Sequence, residues 1–210
     1  MPHPDWNQRY EAGETPWDTG EPDESLVELV RDGDGSAERG RALDVGCGTG
    51  THALWLAAQG FAVLGIDVST VAIERARAKK GAAAPACRFT VADFLRDGVS
   101  GGPFDLIFDR GCFHLFDEPE DRARFAERAA SLLGPDGRWL SLIGSTEGPD
   151  RDSGPPRRSA RDVIGAIEPA LELVELRSIQ LRGAQGELVA AWRCLVRRRA
   201  APAQPSTRRG

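Results

Sequence analysis

The chain has 210 residues, of which 40% are hydrophobic, so it can build one α/β domain with a complete core but not two. Its formal net charge of -5 argues against a nucleic-acid partner, and no apolar run approaches the roughly 20 residues that span a bilayer. The polar N-terminus lacks an apolar secretion signal, and the four cysteines contain no CxxC pair, which predicts a cytoplasmic protein with free thiols. The three histidines are not in metal-ligand spacing, which predicts that there is no metal site.

Strand-like and helix-like segments alternate along most of the chain. Apolar residues at helical spacing in ESLVELV predict a helix, and RALDVG predicts a short strand that ends in glycine. THALWLAAQG predicts a helix that Gly60 ends, and FAVLGID predicts a second strand. Ser69 then caps a helix over VAIERARAKK, which Gly81 ends, before CRFTVAD and FDLIFD supply the third and fourth strands. This alternation indicates βαβ units around a parallel sheet.

The segments that follow extend the same sheet. PEDRARFAERAASLL predicts a helix closed by a Gly-Pro-Asp-Gly turn, and RWLSLIG predicts a fifth strand. Residues 144–156 are polar and rich in glycine and proline, which is typical of a loop and a candidate mobile lid. A short helix at 159–167 precedes two strands, around 171–180 and 188–196, that pair as a hairpin. The fold class is therefore α/β, a doubly wound sheet of seven strands that is mostly parallel and has a C-terminal antiparallel hairpin strand.

A glycine-rich loop, DVGCGTG, lies between the first of these strands and the helix after it. Glycine lets the chain turn tightly and lets a ligand touch the backbone, and a strand–loop–helix unit places that ligand at the carboxyl ends of the strands. The third glycine comes one residue too early for the dinucleotide fingerprint, and no Gly-Lys-Ser/Thr follows as a P-loop requires. Both phosphate-binding interpretations are therefore disfavoured.

The pattern D-x-G-x-G-x-G resembles the nucleoside-binding motif of class I S-adenosylmethionine methyltransferases, which have a Rossmann-like sheet. The resemblance implies that Asp67 holds the ribose hydroxyls, since one carboxylate accepts two O–H donors. It also implies that Asp93 bonds the adenine amino group and that Phe94 offers a face to the purine. Asp44 either orients the loop or touches the cofactor. The residues assigned to the cofactor in this way are Asp44, Gly46, Gly48, Gly50, Asp67, Val68, Asp93 and Phe94.

The segment WNQRYEAGETPWDTGEP, before the first strand, narrows the resemblance. It is similar to the N-terminal cap of the thiopurine/thiol methyltransferase-like group, which includes halide and plant thiol methyltransferases. The resemblance implies that Trp6 and Tyr10 contact the cofactor and that Trp17 stands between the methyl donor and the acceptor. Aromatic faces stabilise a cation such as a sulfonium by roughly 0.5–2 kcal/mol each. The alternative is that these rings only pin the N-terminal arm to the core.

The fourth predicted strand ends in the cluster DRGCFHLF. Arg110 either pairs with the carboxylate of the cofactor or steers an acidic acceptor, whose ionisation a nearby cation favours; the alternative is a surface ion pair. His114 is a general base for a hydroxyl or amine acceptor, or a polar wall residue. Phe113 is assigned to an apolar wall of the acceptor pocket, and Cys112 to packing. Arg110 and His114 are thus the candidate catalytic residues, and Trp17, Phe113 and His114 the candidate acceptor-binding residues.

The resemblance implies an enzyme that transfers a methyl group from S-adenosylmethionine to a small-molecule nucleophile and leaves S-adenosylhomocysteine. A thiol or thio-heterocycle is the expected acceptor; an oxygen or nitrogen of a heterocyclic or phenolic metabolite is the alternative, and a non-catalytic cofactor-binding module is the second. We expect a cap over residues 1–40, a methyltransferase domain over 41–197 and a disordered tail over 198–210. We further expect a monomer, with a dimer as the alternative, and no nucleic-acid or membrane partner.

Overall fold

Seven strands form one sheet in a computed structural model that describes residues 5–31, 40–80, 84, 86–149 and 154–199. The strand order is β3-β2-β1-β4-β5-β7-β6. The strands are β1 (Arg41–Val45), β2 (Ala62–Asp67), β3 (Cys87–Val91), β4 (Phe104–Arg110), β5 (Leu133–Gly144), β6 (Leu171–Arg182) and β7 (Leu188–Arg198). The first five pair in parallel, and β7 runs antiparallel to both β5 and β6. The predicted fold class is confirmed.

Helices cover both faces of this sheet. They are α1 (Trp6–Ala12), α2 (Glu24–Arg31), α3 (Thr51–Ala58), α4 (Thr70–Lys80), α5 (Pro119–Leu132) and α6 (Ala160–Ile167). Apolar side chains of α2, α3 and α4 pack in one core cluster, and those of α5 and α6 pack in another on the opposite face. Within the described ranges, no helix combines the length and the apolar character that crossing a membrane requires.

The point where the strand order reverses lies at β1. This strand pairs with β2 on one side and with β4 on the other, and all three run in the same direction. Their carboxyl ends therefore meet at one edge of the sheet, where the crevice of an open α/β sheet takes its ligands. The glycine loop, Asp67 and Arg110 all lie at this edge because each ends or follows one of these strands.

The structure confirms the helix ends that were predicted at Ser69 and Gly60. The Ser69 hydroxyl accepts a hydrogen bond from the backbone N–H of Ala72 at 3.1 Å, as an N-cap does. Gly60 follows the last residues of α3 with a φ of 95°, a left-handed conformation that glycine adopts without strain. Gly81, residues 150–153 of the predicted loop and residues 200–210 of the predicted tail lie outside the described residues.

The start of the fifth strand differs from the prediction. The strand begins at Leu133 rather than Arg138, so the Gly-Pro-Asp-Gly turn lies inside β5. Leu133 pairs with Phe104, and the next pair joins Arg138 to Leu106, so the register shifts across the turn residues. Leu133 is 1% exposed, and its burial beside β4 explains why the chain pairs before it turns.

Candidate cofactor and acceptor site

The glycine loop brings bare backbone to the carboxyl end of β1. Gly46, Gly48 and Gly50 have φ angles of 68°, 53° and 84°, all in the left-handed region. A Cβ at Gly48 would stand 2.8 Å from the hydroxyl oxygen of Tyr10, and one at Gly46 would stand 3.2 Å from the Cβ of Cys112. The loop therefore needs glycine both for its conformation and for the close approach of its neighbours.

Asp67 lies beside this loop at the end of β2. One carboxylate oxygen accepts the backbone N–H of Gly48 at 2.9 Å, and the other accepts that of Ser69 at 2.8 Å. The backbone N–H of Val68 bonds the same carboxylate, whose two oxygens have about four lone-pair sites, so the carboxylate can still accept a hydroxyl donor. Burial raises the pKa of Asp67, and the backbone N–H groups oppose that rise. The neighbouring Val68 is 44% exposed.

Asp93 follows β3, and its side chain bonds the backbone two residues further along the chain. Its carboxylate accepts the backbone N–H of Leu95 at 2.8 Å and remains half-buried. Phe94 beside it is 4% exposed, and its ring centroid lies 4.4 Å from that of Phe125 on α5. The ring that was assigned to the purine is therefore packed into the core, because the apolar face of α5 covers it.

Asp44 and His52 approach the loop from the sheet side. Asp44 is 1% exposed, and burial, followed by the charge of Asp67, raises its pKa to about 8. His52, in the first turn of α3, packs its ring 5.0 Å from that of Phe108. Burial, followed by the charge of Arg110, lowers the pKa of His52 to about 4. The sequence reasoning missed His52, although its place directly after the glycine loop was the available signal.

The N-terminal segment places three aromatic rings over the loop. The Trp17 ring lies 5.6 Å from that of Trp6 and 6.1 Å from that of Tyr10, both in edge-to-face arrangements. The Trp17 indole N–H donates to the Tyr10 hydroxyl at 3.3 Å, and burial raises the pKa of Tyr10 above its ordinary value. Asp18 accepts the hydroxyl of Thr49 at 2.7 Å, so the segment is also bonded directly to the loop. We call residues 5–23 the aromatic cap.

Arg110 is bonded to the aromatic cap and to the sheet edge. Its Nε donates to the Asp23 carboxylate at 3.2 Å and its Nη1 to the Trp17 carbonyl at 3.1 Å. Its Nη2 donates to the carbonyl of Arg182, at the end of β6, at 2.6 Å. The two side chains of the ion pair with Asp23 are each 11% exposed, so Arg110 is not a surface ion-pair residue. All three of its nitrogen atoms have protein acceptors.

Of the residues after Arg110, Cys112 contacts the glycine loop, whereas Phe113 and His114 are buried in the protein. Phe113 is fully buried, with its ring 5.6 Å from each of Phe125 and Trp139. His114 is 4% exposed, and its Nδ1 accepts the backbone N–H of Gly144 at 2.7 Å. Burial, followed by the charge of Asp109, raises the pKa of Cys112, so its thiol is not ionised. Phe113 therefore packs in the core instead of forming a pocket wall, and a backbone contact occupies the Nδ1 lone pair of His114.

A pocket remains between the aromatic cap and the loop, with a free volume of about 30 Å³. The described residues that line it are Tyr10, Trp17, Asp18, Thr19, Asp44, Gly46, Cys47, Gly48, Thr49, Thr51, His52 and Arg110. Two buried atoms of these lining residues, the Asp44 Oδ2 and the His52 Nε2, find no hydrogen-bond partner within the described part of the chain. Bare glycine backbone, an acid for ribose and unpartnered polar atoms suit a nucleoside that carries an amino-acid group, as S-adenosylmethionine does.

The sequence of this chain is similar to those of known methyltransferases. A family model described as a methyltransferase domain matches residues 42–137. The probable thiol methyltransferase 2 of Arabidopsis thaliana is 38% identical over 154 residues, which cover 72% of this chain and 65% of the relative. The thiocyanate methyltransferase 1 of Brassica oleracea is 34% identical over 179 residues, which cover 84% of this chain and 75% of the relative.

Solved structures agree with the sequence relatives. One solved structure is 30% identical to this chain and has a TM-score of 0.76, with 93% of this chain and 91% of the solved chain covered. It comes from work on the conversion of a disulfide bond into a thioacetal group during echinomycin biosynthesis. Others, at 16–22% identity, share the fold and are S-adenosylmethionine-dependent methyltransferases. The predicted resemblance and cofactor are thus confirmed. The chain belongs to the S-adenosylmethionine-dependent methyltransferases, in the family of the plant thiol and thiocyanate methyltransferases.

Proposed function

We propose that the enzyme methylates a small sulfur nucleophile, a thiol or a thio-heterocycle. S-adenosylmethionine supplies an activated methyl group, so the protein must bind, align and keep water out rather than activate the donor. The names of the two plant relatives, a thiol and a thiocyanate methyltransferase, support a sulfur acceptor. The observation that carries the proposal is that neither imidazole near the site can serve as a base at neutral pH.

The two described histidines are unsuitable for different reasons. His52 lines the pocket, but its pKa of about 4 makes it too weak to hold a proton taken from a hydroxyl group. The His114 Nδ1 already accepts the Gly144 N–H. A phenol with a pKa near ~10 would need a base, whereas a thiol with a pKa near ~8.5 supplies enough thiolate by itself. The site therefore favours an acceptor that ionises without help.

The remaining residues take roles that follow from their positions. Asp67 is proposed to hold the ribose, Asp93 the adenine amino group and the glycine loop the sugar and amino-acid part. The Tyr10 and Trp17 rings line the side of the pocket that faces the aromatic cap, where aromatic rings favour a sulfonium cation, and Trp6 packs against Trp17. Arg110 is proposed to hold the aromatic cap in place and to favour an anionic acceptor beside it.

We also propose the partners, the oligomeric state and the location of the enzyme. The acidic balance of the chain supports a small-molecule acceptor rather than nucleic acid, and the enzyme is proposed to act as a monomer without a membrane partner. Four cysteines without a disulfide support a reducing, cytoplasmic location.

The test is a pH series with a set of aryl thiols whose pKa values differ. Purified enzyme with S-adenosylmethionine is assayed for S-adenosylhomocysteine and for the methylated product by mass spectrometry. We expect kcat/KM to rise with pH around the pKa of each thiol, so that the inflection moves from one thiol to the next. The matched phenols serve as controls and should react at no more than about a hundredth of the thiol rate, because neither described imidazole can take the phenol proton.

Two outcomes contradict the proposal. A single inflection at the same pH for every thiol points to an ionising group of the enzyme. Phenols or N-heterocycles that react as fast as the matched thiols support the alternative of oxygen or nitrogen methylation. Hydrosulfide and thiocyanate are included as small anions to find the size limit of the pocket.

A further inference from the structure

Two buried polar atoms on the pocket lining have no hydrogen-bond partner among the residues that the structure describes. They are the Asp44 Oδ2 and the His52 Nε2, and both residues line the pocket under the aromatic cap. The Asp44 carboxylate also accepts the backbone N–H of Ala53, the residue next to His52. The two side chains therefore reach the pocket from neighbouring positions, one at the end of β1 and one in the first turn of α3. A buried polar atom without a partner costs about 1–3 kcal/mol, so a ligand that bonds both would recover that free energy.

The two atoms differ in the group that they can bind. Burial raises the pKa of Asp44 to about 8, but an ammonium group beside it favours the ionised carboxylate, whose oxygens only accept hydrogen bonds. A neutral imidazole carries one N–H, and when that proton is on Nε2 the ring donates to an anionic oxygen. Burial and the charge of Arg110 keep His52 neutral at physiological pH. An acceptor and a neutral donor on the lining of one pocket complement the ammonium and carboxylate groups of an α-amino acid.

The side chain that the sequence suggested for the carboxylate is already engaged. Each nitrogen of Arg110 donates to a protein oxygen, on Asp23, Trp17 or Arg182. The Thr49 hydroxyl is likewise bonded to Asp18 at 2.7 Å. The Nε2 of His52 is a side-chain nitrogen on the pocket lining to which the described residues supply no partner, so it is a further donor for a carboxylate in this pocket.

We propose that His52 is the residue that binds the carboxylate of the cofactor's amino-acid end, next to Asp44, which binds its ammonium group. The assignment concerns the cofactor alone, so it stands whichever acceptor the enzyme methylates. It makes His52 a binding residue with no proton to transfer, and it leaves Arg110 to the aromatic cap.

The experiment compares three probes by isothermal titration calorimetry. S-adenosylhomocysteine carries both groups, its decarboxylated analogue keeps only the amine, and 5′-methylthioadenosine has neither. His52→Ala should weaken S-adenosylhomocysteine by about tenfold or more, as the loss of one hydrogen bond to a charged group does. The same change should alter the affinity of the other two probes by no more than about twofold, while His52→Gln, which retains an N–H donor, should restore much of the loss.

The matched variant is Asp44→Asn, which should weaken both amine-bearing probes but not 5′-methylthioadenosine. The proposal is overturned if His52→Ala weakens all three probes equally, since that indicates a distorted pocket, or if it weakens none. It is also overturned if the unmodified enzyme binds S-adenosylhomocysteine no better than its decarboxylated analogue, a result that needs no variant to fold. Tight binding of S-adenosylhomocysteine without thiol methylation would refute the proposed acceptor and leave this assignment standing.

Discussion

Asp44 provides a direct test of the electrostatics at this site. Its folded pKa of about 8 lies far above the value near ~3.9 of an unfolded aspartate. Between these two values the folded protein holds a proton that the unfolded chain has released. Stability therefore falls as the pH rises through this window, because the unfolded state binds fewer protons. The Asp44→Asn variant has no carboxyl to titrate and should not share that loss.

The size of the effect follows from the shift. One pKa unit corresponds to about 1.36 kcal/mol, so the native chain should lose up to about 4 kcal/mol between pH 5 and pH 8 that Asp44→Asn keeps. Urea unfolding of both proteins across this range measures the difference in the free energy of unfolding. We expect that difference to grow by about 1 kcal/mol per pH unit in favour of the variant. The control, Asp136→Asn, changes an exposed carboxylate in the turn of β5.

A constant difference across the range would refute the reasoning, because it would mean that Asp44 is ionised in the folded protein at acidic pH. Binding offers a second measurement. An ammonium beside Asp44 favours the carboxylate, so S-adenosylhomocysteine should displace about one proton at pH 7. Calorimetry in buffers of different ionisation enthalpy detects this proton, and Asp44→Asn should release none. We therefore expect Asp44→Asn to be more stable than the native chain at neutral pH and to bind the cofactor less tightly.

Three further substitutions test the surroundings. Asp23→Asn removes the charge that pairs with Arg110 at 3.2 Å, where each side chain is 11% exposed. The free energy of unfolding, measured with urea, should fall by about 1–2 kcal/mol, and an unchanged midpoint would contradict the pairing. His114→Ala leaves the Gly144 N–H unpaired and opens a cavity, so it should lower the free energy of unfolding by about 2–4 kcal/mol. It should change the KM for a thiol by less than about threefold, and a large loss of kcat in a stable protein would support His114 as a base. Gly48→Ala, at a φ of 53°, should cost about 1–2 kcal/mol and weaken S-adenosylhomocysteine, and an unaltered affinity would show that the loop is not the contact surface.

Much of the fold could be predicted because local patterns and tertiary structure agree. The glycine loop, Asp67 and Asp93 each follow a strand-like segment, and parallel strands bring such positions to one edge. The start of β5 could not be predicted, since the Gly-Pro-Asp-Gly signal favours a turn and only the burial of Leu133 against β4 places it within the strand. Tertiary packing overrides local turn propensity there.

The site was harder to predict than the fold. Adjacency in sequence placed Phe94 beside Asp93 and Phe113 beside Arg110, but the packing of α5 decides which way these rings point, and both enter the core. The engagement of Arg110 depends on Asp23 and on the carbonyl of Arg182, two positions far away along the chain. Contacts of this kind have no local signature, so the sequence indicated a cation at this point but not its partners.

The bonds between the aromatic cap and the rest of the enzyme have a kinetic consequence. The cap is tied to the hairpin as well as to the loop, since the Ala184 N–H donates to the Pro16 carbonyl at 2.6 Å. The cavity beneath it has a volume of only about 30 Å³, so we expect the cap to open before a nucleoside enters. The apparent dissociation constant for the cofactor is then its intrinsic value divided by the fraction of molecules whose cap is open. We expect release of the spent nucleoside to need the same opening, and the acceptors of this enzyme to share an upper limit on turnover for that reason.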